Sequence, residues 1–106
     1  MQIEALPAYD EWINGIRDIR AKARIAARLL RLAAGNPGDH RNLSDGISEL
    51  RIDHGPGYRV YYARRGDILI LLLGGGDKST QSNDIQSNDI KRAVSTLKGW
   101  AHDRQS

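Results

Sequence analysis

Three strand-like segments follow one another in the second half of the chain, and they constrain its fold most strongly. They are LSDGISELRID, YRVYYARR and DILILLLGG. Their β-branched, aromatic and apolar residues favour extended structure. The connections HGPG and RRGD are short and contain glycine, as antiparallel hairpins require. The run ILILLL is apolar throughout, which predicts a strand in the interior of a sheet.

Helical patterns precede these strands, after a short edge strand predicted in MQIEALPAY. The first apolar pattern consists of Tyr9, Trp12, Ile13 and Ile16. The second consists of Ala23, Ala26, Leu29, Leu30 and Ala33. Asp10 is a plausible cap for the first helix, and Gly35 stands where a C-terminal glycine belongs after the second. The two predicted helices form a hairpin, joined near Asp18 to Arg20. The segment GNPGDHRN that follows them is predicted to be a loop from its composition.

A last helical pattern lies in IKRAVSTLKGWA. Its apolar positions are Ile90, Ala93 or Val94, Leu97 and Ala101. The element order is then β-α-α-β-β-β-α, which predicts an α+β fold with an antiparallel sheet packed by an N-terminal helical hairpin and a C-terminal helix. A length of 106 residues suits a single domain spanning residues 1–106.

Composition excludes several classes of protein. The absence of cysteine excludes disulfides and thiolate metal sites, and no run approaches the roughly 18 apolar residues of a membrane span. The N-terminus lacks the pattern of a signal peptide, so a cytoplasmic protein without membrane partners is expected. His40, His54 and His102 are scattered without metal-ligand spacing, and neither a metal nor a cofactor is predicted.

Arginine dominates the positive charge of the chain, supplying 12 of the 16 basic residues at a net charge of +3. Its planar guanidinium suits phosphate and carboxylate groups. Four arginines of the second helix follow spacings of four, four and three and so form a stripe. They are Arg20, Arg24, Arg28 and Arg31. This stripe is either a solvated helix face or a surface that contacts RNA or the ribosome.

A second basic set is predicted on the sheet. Because side chains alternate along a strand, pairing through HGPG places Arg51, Arg59 and Tyr61 on one face. Lys78 follows the glycines 74–76 at the end of the next strand. This set is either a salt-bridged face, with the acids Glu49, Asp53 and Asp77, or a phosphate site. In a phosphate site the arginines clamp the anion, and Tyr61 stacks on a base or assists proton transfer.

Three stretches together resemble the RelE/ParE superfamily of toxins. They are RAKARIAARLLRLAAGNPGD, ELRIDHGPGYRVYY and LLLGGGDKSTQSNDI. The resemblance extends from about Trp12 to Ala93 and is closest to the phage-derived, HigB-like "addiction module killer" toxins. It implies the compact fold described above and the toxin of a type II toxin–antitoxin system, of the kind that serves plasmid stabilisation.

The resemblance also implies an activity and partners. The toxin would be an mRNA interferase, a metal-independent endoribonuclease that cuts mRNA on the ribosome and inhibits translation and growth. Its antitoxin would be a small helix-turn-helix protein. Arg51, Arg59 and Lys78 match basic positions of the superfamily's catalytic site, whereas Tyr61 is added from its predicted face. The superfamily's RelE has a lysine where this chain has Glu49, and RelE's C-terminal tyrosine has no counterpart here. Other members use a His–Glu pair, for which Glu49 or His54 could substitute, so the identity of the general base stays open.

The pentapeptide QSNDI occurs twice in tandem, at residues 81–85 and 86–90. Ile85 and Ile90 lie about 140° apart on an ideal helix, so both cannot face the same core. Either the first copy loops out, or it extends the last helix from a cap at Ser82 or Asn83. We expect the core to persist and Lys78 to become more mobile.

Two other functions remain open at this point. The first is a ParE-like toxin that inhibits DNA gyrase, which shares the fold but does not need Arg51, Arg59 and Lys78 in one site. The second is a toxin damaged by the duplication, which only binds its antitoxin.

Overall fold

The computed structural model describes residues 1–77 and 83–105, with side chains for 1–77 and 88–103. Its elements in chain order are β1 (Gln2–Ala5), α1 (Pro7–Asn14), α2 (Ile19–Ala33), β2 (His40–Asn42), β3 (Ile47–Ile52), β4 (Tyr58–Arg65), β5 (Leu69–Asp77) and α3 (Asn83–Gln105). Although α3 has 23 residues, no helix among the described residues is apolar over a length that would cross a membrane.

The five strands form one mixed sheet in the order β1-β5-β4-β3-β2. The α+β prediction is confirmed, but the prediction of a purely antiparallel sheet is wrong. β1 pairs in parallel with β5, from Gln2 opposite Leu69 to Ala5 opposite Leu72. The other neighbours are antiparallel. A parallel pair needs a long crossover connection. Here the elements from α1 to β4 form that connection between β1 and β5.

The segment GNPGDHRN, predicted as a loop, contains the short strand β2. β2 pairs antiparallel with β3 and forms the second edge of the sheet. The element order is therefore β-α-α-β-β-β-β-α, with one strand more than predicted. β1 is an edge strand as predicted, and β5 lies inside the sheet along Leu69–Leu72, where ILILLL placed it.

Each face of the sheet has its own core. On one face, α1 and α2 cover a cluster that includes Leu50, Val60 and Leu72. On the other face, α3 covers a cluster in which its own Ala93 and Leu97 are buried. The predicted apolar line of the last helix is confirmed at these two positions. Hereafter these two sides are called the α2 face and the α3 face of the sheet.

The helix ends follow local chemistry. α1 begins at Pro7, earlier than the predicted cap at Asp10, because proline is well suited to the first helical position. Asp18 caps α2 by accepting hydrogen bonds from the backbone N–H groups of Arg20 and Ala21. The predicted glycine cap is confirmed, since Gly35 has a φ of +92° and its N–H donates to the carbonyl of Leu32.

The predicted apolar stripe of α2 is wrong. Ala21, Ile25 and Leu32 are the buried residues of this helix. Of the predicted positions, Leu29 and Ala33 are only partly buried, and Ala23, Ala26 and Leu30 are exposed. Alanine occurs on every side of α2, so two stripes with helical spacing exist. The sheet buries the stripe that carries the β-branched Ile25.

The tandem repeat lies at the start of α3. α3 begins at Asn83, so residues 83–85 of the first QSNDI copy lie in the helix, whereas residues 81 and 82 lie outside the described residues. Ile90, from the second copy, packs against the core under α3. Ser82 and the side chain of Ile85 lie outside the described residues, so the other parts of that expectation stay predictions.

Candidate functional site

The register of β3 and β4 brings the predicted sheet residues together. Arg51 lies directly opposite Arg59, and Glu49 lies directly opposite Tyr61. Directly opposed residues share a face of the sheet, so the predicted placement of Arg51, Arg59 and Tyr61 on one face is confirmed. This is the α3 face, because Tyr61 belongs to the core that α3 covers.

A buried carboxylate holds the two arginines. The side chain of Glu49 is completely buried, and its Oε1 pairs with the guanidinium of Arg59 and lies 3.9 Å from Nε of Arg51. A buried charge is tolerated only when it is paired, and the shared carboxylate also offsets the repulsion between two opposed cations. Glu49 therefore acts as an anchor for the arginines. It is not a free acid poised for proton transfer.

The two arginines differ in access to solvent. The Arg51 side chain is 37% exposed and that of Arg59 is 14% exposed. Both line a cavity of about 290 Å³ at the end of the hairpin, together with Asp39, Asp53 and the turn 55–57. Gly55 and Gly57 have φ angles of +55° and +84°, which lets the turn fold tightly over this cavity. Two adjacent guanidiniums in this cavity can clamp a phosphate.

Tyr61 is more deeply buried than its predicted role requires. The residue is 1% exposed, and its hydroxyl has no hydrogen-bond partner among the described residues. Burial raises the pKa of Tyr61, and the negative charges of Glu49 and Asp89 raise it further. The ring cannot stack on a base from this position. Its hydroxyl keeps the proton at neutral pH and cannot serve as a base.

The glycines of β5 make room for side chains on both faces of the sheet. A Cβ at Gly75 would collide with the ring of Trp12 on the α2 face, and a Cβ at Gly76 would collide with the carboxylate of Asp89 on the α3 face. Glycine inside a strand often marks such a close approach. The glycine-rich corner is thus explained by the packing of α1 and α3 on β5.

Asp89 is a site residue that the sequence did not reveal. It comes from the second QSNDI copy, is 13% exposed in its side chain, and forms an ion pair of 3.7 Å with Arg92. Burial raises the pKa of Asp89, Arg92 and Arg59 lower it, and Asp77 raises it. The sequence signal for this contact is a glycine in a strand together with an acid on the helix that follows. This signal identifies Asp89 only when the position of α3 on β5 is known.

Arg41 is a second residue that the sequence reasoning missed. It lies on β2 directly opposite Glu49, so it shares the α3 face with Arg51 and Arg59. Arg41 is exposed at the edge of the sheet. Because its segment was predicted to be a loop, no face could be assigned to it beforehand.

Lys78 lies outside the described residues. It follows Asp77, the last residue of β5, which is opposite Tyr58. Its catalytic role therefore stays a prediction from the sequence.

The arginine stripe of α2 divides into two parts. Arg28 donates to the carbonyl oxygens of Arg51, Pro37 and Asp39, at 2.5, 2.9 and 3.0 Å, so it ties α2 to the sheet and is not a free contact residue. Arg20, Arg24 and Arg31 are exposed. α2 covers the face of the sheet opposite to the arginine pair, so the two basic sets do not form a single cleft.

His54 is directed away from the arginine pair. Its Nε2 lies 3.2 Å from Oδ2 of Asp18, the cap of α2. Hydrogen bonds from the backbone N–H of Ala21 and from His54 lower the pKa of Asp18. This contact fastens the HGPG turn to α2 and gives His54 a structural partner. Within residues 1–77 and 83–105, no cluster of acids and histidines could hold a metal ion.

Comparison with protein families places the chain. Residues 11–98 match the family described as "Phage derived protein Gp49-like (DUF891)". The match covers most of the chain, and the protein belongs to this family, which is part of the RelE/ParE-like superfamily of toxin–antitoxin toxins. The resemblance to that superfamily is confirmed at this level, and the HigB-like branch stays a prediction.

A relative from Haemophilus influenzae (strain ATCC 51907 / DSM 11121 / KW20 / Rd) is 50% identical over 86 residues. The aligned part covers 81% of this chain and 87% of the relative, which is described as an "Uncharacterized protein". The similarity therefore extends over most of both chains and supports the family without adding an activity.

Proposed function

We propose that this chain is a HigB-like toxin of a type II toxin–antitoxin module that cleaves mRNA on the ribosome without a metal ion. The observation that carries the proposal is the pair Arg51 and Arg59, held side by side by buried Glu49 and open to the hairpin cavity. Membership in the Gp49-like family supports the toxin class. Cleavage of mRNA would stop translation and growth.

The reaction needs no cofactor. The ribose 2′-oxygen loses its proton and attacks the adjacent phosphorus, the bond from phosphorus to the 5′-oxygen breaks, and the 5′-oxygen gains a proton. Negative charge accumulates on the phosphate oxygens in the transition state. Arg51 and Arg59 would bind these oxygens, and Lys78 is assigned to the same charge from the sequence. Preorganised donors of this kind each contribute about 10²–10³ in rate.

One described residue is proposed as the proton acceptor. Asp89 has a pKa raised by burial, and a higher pKa makes a carboxylate a better proton acceptor. Glu49 is completely buried between two guanidiniums, whereas Asp89 is 13% exposed and pairs, among the described residues, only with Arg92, a side chain that is 78% exposed, so Asp89 is the better candidate for the base. Tyr61 keeps its proton, but its hydroxyl is buried and the residue does not line the hairpin cavity, so its catalytic role stays a prediction from the sequence.

Partners follow from the proposed reaction. The substrate is mRNA on the ribosome, and the neutralising partner is an antitoxin, expected to be a helix-turn-helix protein. Exposed Arg20, Arg24 and Arg31 remain candidate contacts to RNA or the ribosome. Arg28 is withdrawn from that set because its guanidinium bonds three backbone carbonyls.

A translation reaction reconstituted from purified components tests the proposal. Cleaved mRNA is expected to carry a 2′,3′-cyclic phosphate and a 5′-hydroxyl at the cut. Arg51→Gln is expected to reduce cleavage about 100-fold. This variant is preferred to one at Arg59, whose deeper burial makes misfolding the greater risk. Arg64→Gln is the matched control, since Arg64 is 56% exposed and pairs with Asp67 in the β4–β5 turn.

Three results would contradict the proposal. Cuts with 5′-phosphate ends would indicate hydrolysis by another mechanism. Equal loss of activity in the Arg51 and Arg64 variants would exclude the Arg51–Arg59 pair as the catalytic site. Growth arrest without mRNA cuts, together with inhibition of gyrase supercoiling, would favour the ParE-like function.

A further inference from the structure

The outer face of α2 carries an apolar stripe that no part of the described structure covers. Ile19 is 81% exposed and Leu30 is 74% exposed, and exposed Ala23 and Ala26 lie between them. The spacings of four, three and four keep these residues on one side of the helix, roughly 130° from buried Ile25. The ends of the stripe are 11 positions apart, so it is about 16 Å long. These four residues are called the outer stripe below.

The outer stripe has the shape of a surface on which another helix can pack. Alanine at its centre lets a second helix approach closely, while Ile19 and Leu30 project at its two ends. Helices that meet through small side chains pack at the short end of the usual interaxial range of about 8–10 Å. Single exposed apolar residues need no explanation, but a contiguous line of them indicates an interaction site.

Positive charge borders the outer stripe on both sides. Lys22 lies on one flank, and three arginines lie on the other. The three are Arg20, Arg24 and Arg31. No side chain of these four residues forms an ion pair within residues 1–77 and 83–105, and α2 contains no acidic residue. A partner that places acidic side chains beside an apolar stripe would satisfy both the charge and the shape.

The helix is held firmly for such a contact. The guanidinium of Arg28 binds three backbone carbonyls, Asp18 caps the first turn, and Gly35 closes the last turn. A surface that is already fixed loses little conformational entropy when a partner binds.

We propose that the outer stripe binds an amphipathic helix of a protein partner, whose apolar residues are flanked by aspartate and glutamate. The stripe has no aromatic ring on which an RNA base could stack, and RNA would leave Ile19 and Leu30 in water. A second copy of this chain would bring one basic α2 against another. The proposal does not depend on RNA cleavage, because α2 and the arginine pair lie on opposite faces of the sheet.

Selection from a yeast-display library tests this surface with the purified chain as the target. The library presents helical peptides of about 18 residues, five turns, with a fixed apolar stripe and with glutamate, glutamine or lysine free at each flanking position. Clones rich in glutamate at the flanks are expected to be enriched. Their binding is expected to fall at least tenfold for the double variant Ile19→Gln, Leu30→Gln, and for the triple variant Arg20→Gln, Arg24→Gln, Arg31→Gln.

The control variant is Ile68→Gln, since Ile68 is 70% exposed in the β4–β5 turn, and it should bind the selected peptides as the parent chain does. Lysine-rich clones, no enrichment, or unchanged binding by the double variant would each overturn the proposal. It would also be overturned if the double variant lost self-association, RNA binding or binding to anionic vesicles while keeping the peptides. Retained peptide binding by a chain that cleaves no mRNA would refute only the nuclease proposal.

Discussion

Replacing Glu49 by glutamine tests the anchor of the arginine pair. Glutamine keeps the size of the side chain and one acceptor oxygen, but it removes the charge that pairs with both guanidiniums. Arg51 is 37% exposed and can be rehydrated, so its share is at most about 1 kcal/mol. Arg59 is only 14% exposed, so its guanidinium cannot be rehydrated in the same way. Breaking a buried ion pair costs about 3–5 kcal/mol. The pair of Glu49 with Arg59 therefore determines the expected loss of unfolding free energy.

Urea unfolding followed by circular dichroism measures this loss. Domains of this size are stable by about 5–15 kcal/mol, so Glu49→Gln should remove a large share of the free energy of unfolding. Asp67→Asn is the control, because Asp67 is fully exposed in its ion pair with Arg64, and its effect should stay within about 0.5 kcal/mol. Adding Arg59→Met to Glu49→Gln should recover part of the loss. A loss below about 1 kcal/mol for Glu49→Gln would refute the anchoring role.

Three further changes probe the surroundings of the site. Gly76→Ala should cost about 1–3 kcal/mol of unfolding free energy, and Asp89→Ala should relieve most of it in a double-mutant cycle; additive losses would contradict the close contact. Tyr61→Phe should leave the melting temperature unchanged or raise it, since a buried hydroxyl without a partner among the described residues is removed; a lower melting temperature would contradict this assignment. Because the folded state lowers the pKa of Asp18 below its usual 3.8, its stabilisation is present above about pH 4 and is lost as the pH falls through the folded-state pKa. Asp18→Asn should flatten this acid loss in pH-dependent urea titrations, and an unchanged loss of stability at acid pH would exclude Asp18 as its source.

Local patterns in the sequence were sufficient for the hairpins and their faces. The alternation of polar and apolar residues placed Arg51 and Arg59 on one face, and the HGPG turn fixed which strands pair. Gly35 ended α2 where the cap rules predict. These features depend on backbone conformation and side-chain direction within a few residues, and such information is carried locally.

Features that depend on distant contacts could not be predicted in the same way. The parallel pairing of β1 with β5 joins residues about 67 positions apart and has no local signal. The buried side of α2 was wrongly predicted because Ala23 and Ala26 follow the same helical spacing as Ala21 and Ile25. Asp89 lies in the site only because α3 packs against Gly76 of β5. Glu49 was recognised as an acid near the arginines, but its burial depends on the packing of α3 over the sheet.

The central claim is that the Arg51–Arg59 pair binds the phosphate that is cut in mRNA. Induction of the chain in a bacterial host, followed by mapping of mRNA 5′ ends, tests it most directly, with Arg51→Gln beside the Arg64→Gln control. The account predicts growth arrest with new cuts within reading frames, lost in the Arg51 variant and kept in the control. Growth arrest with the same cuts in a folded Arg51→Gln variant would contradict it.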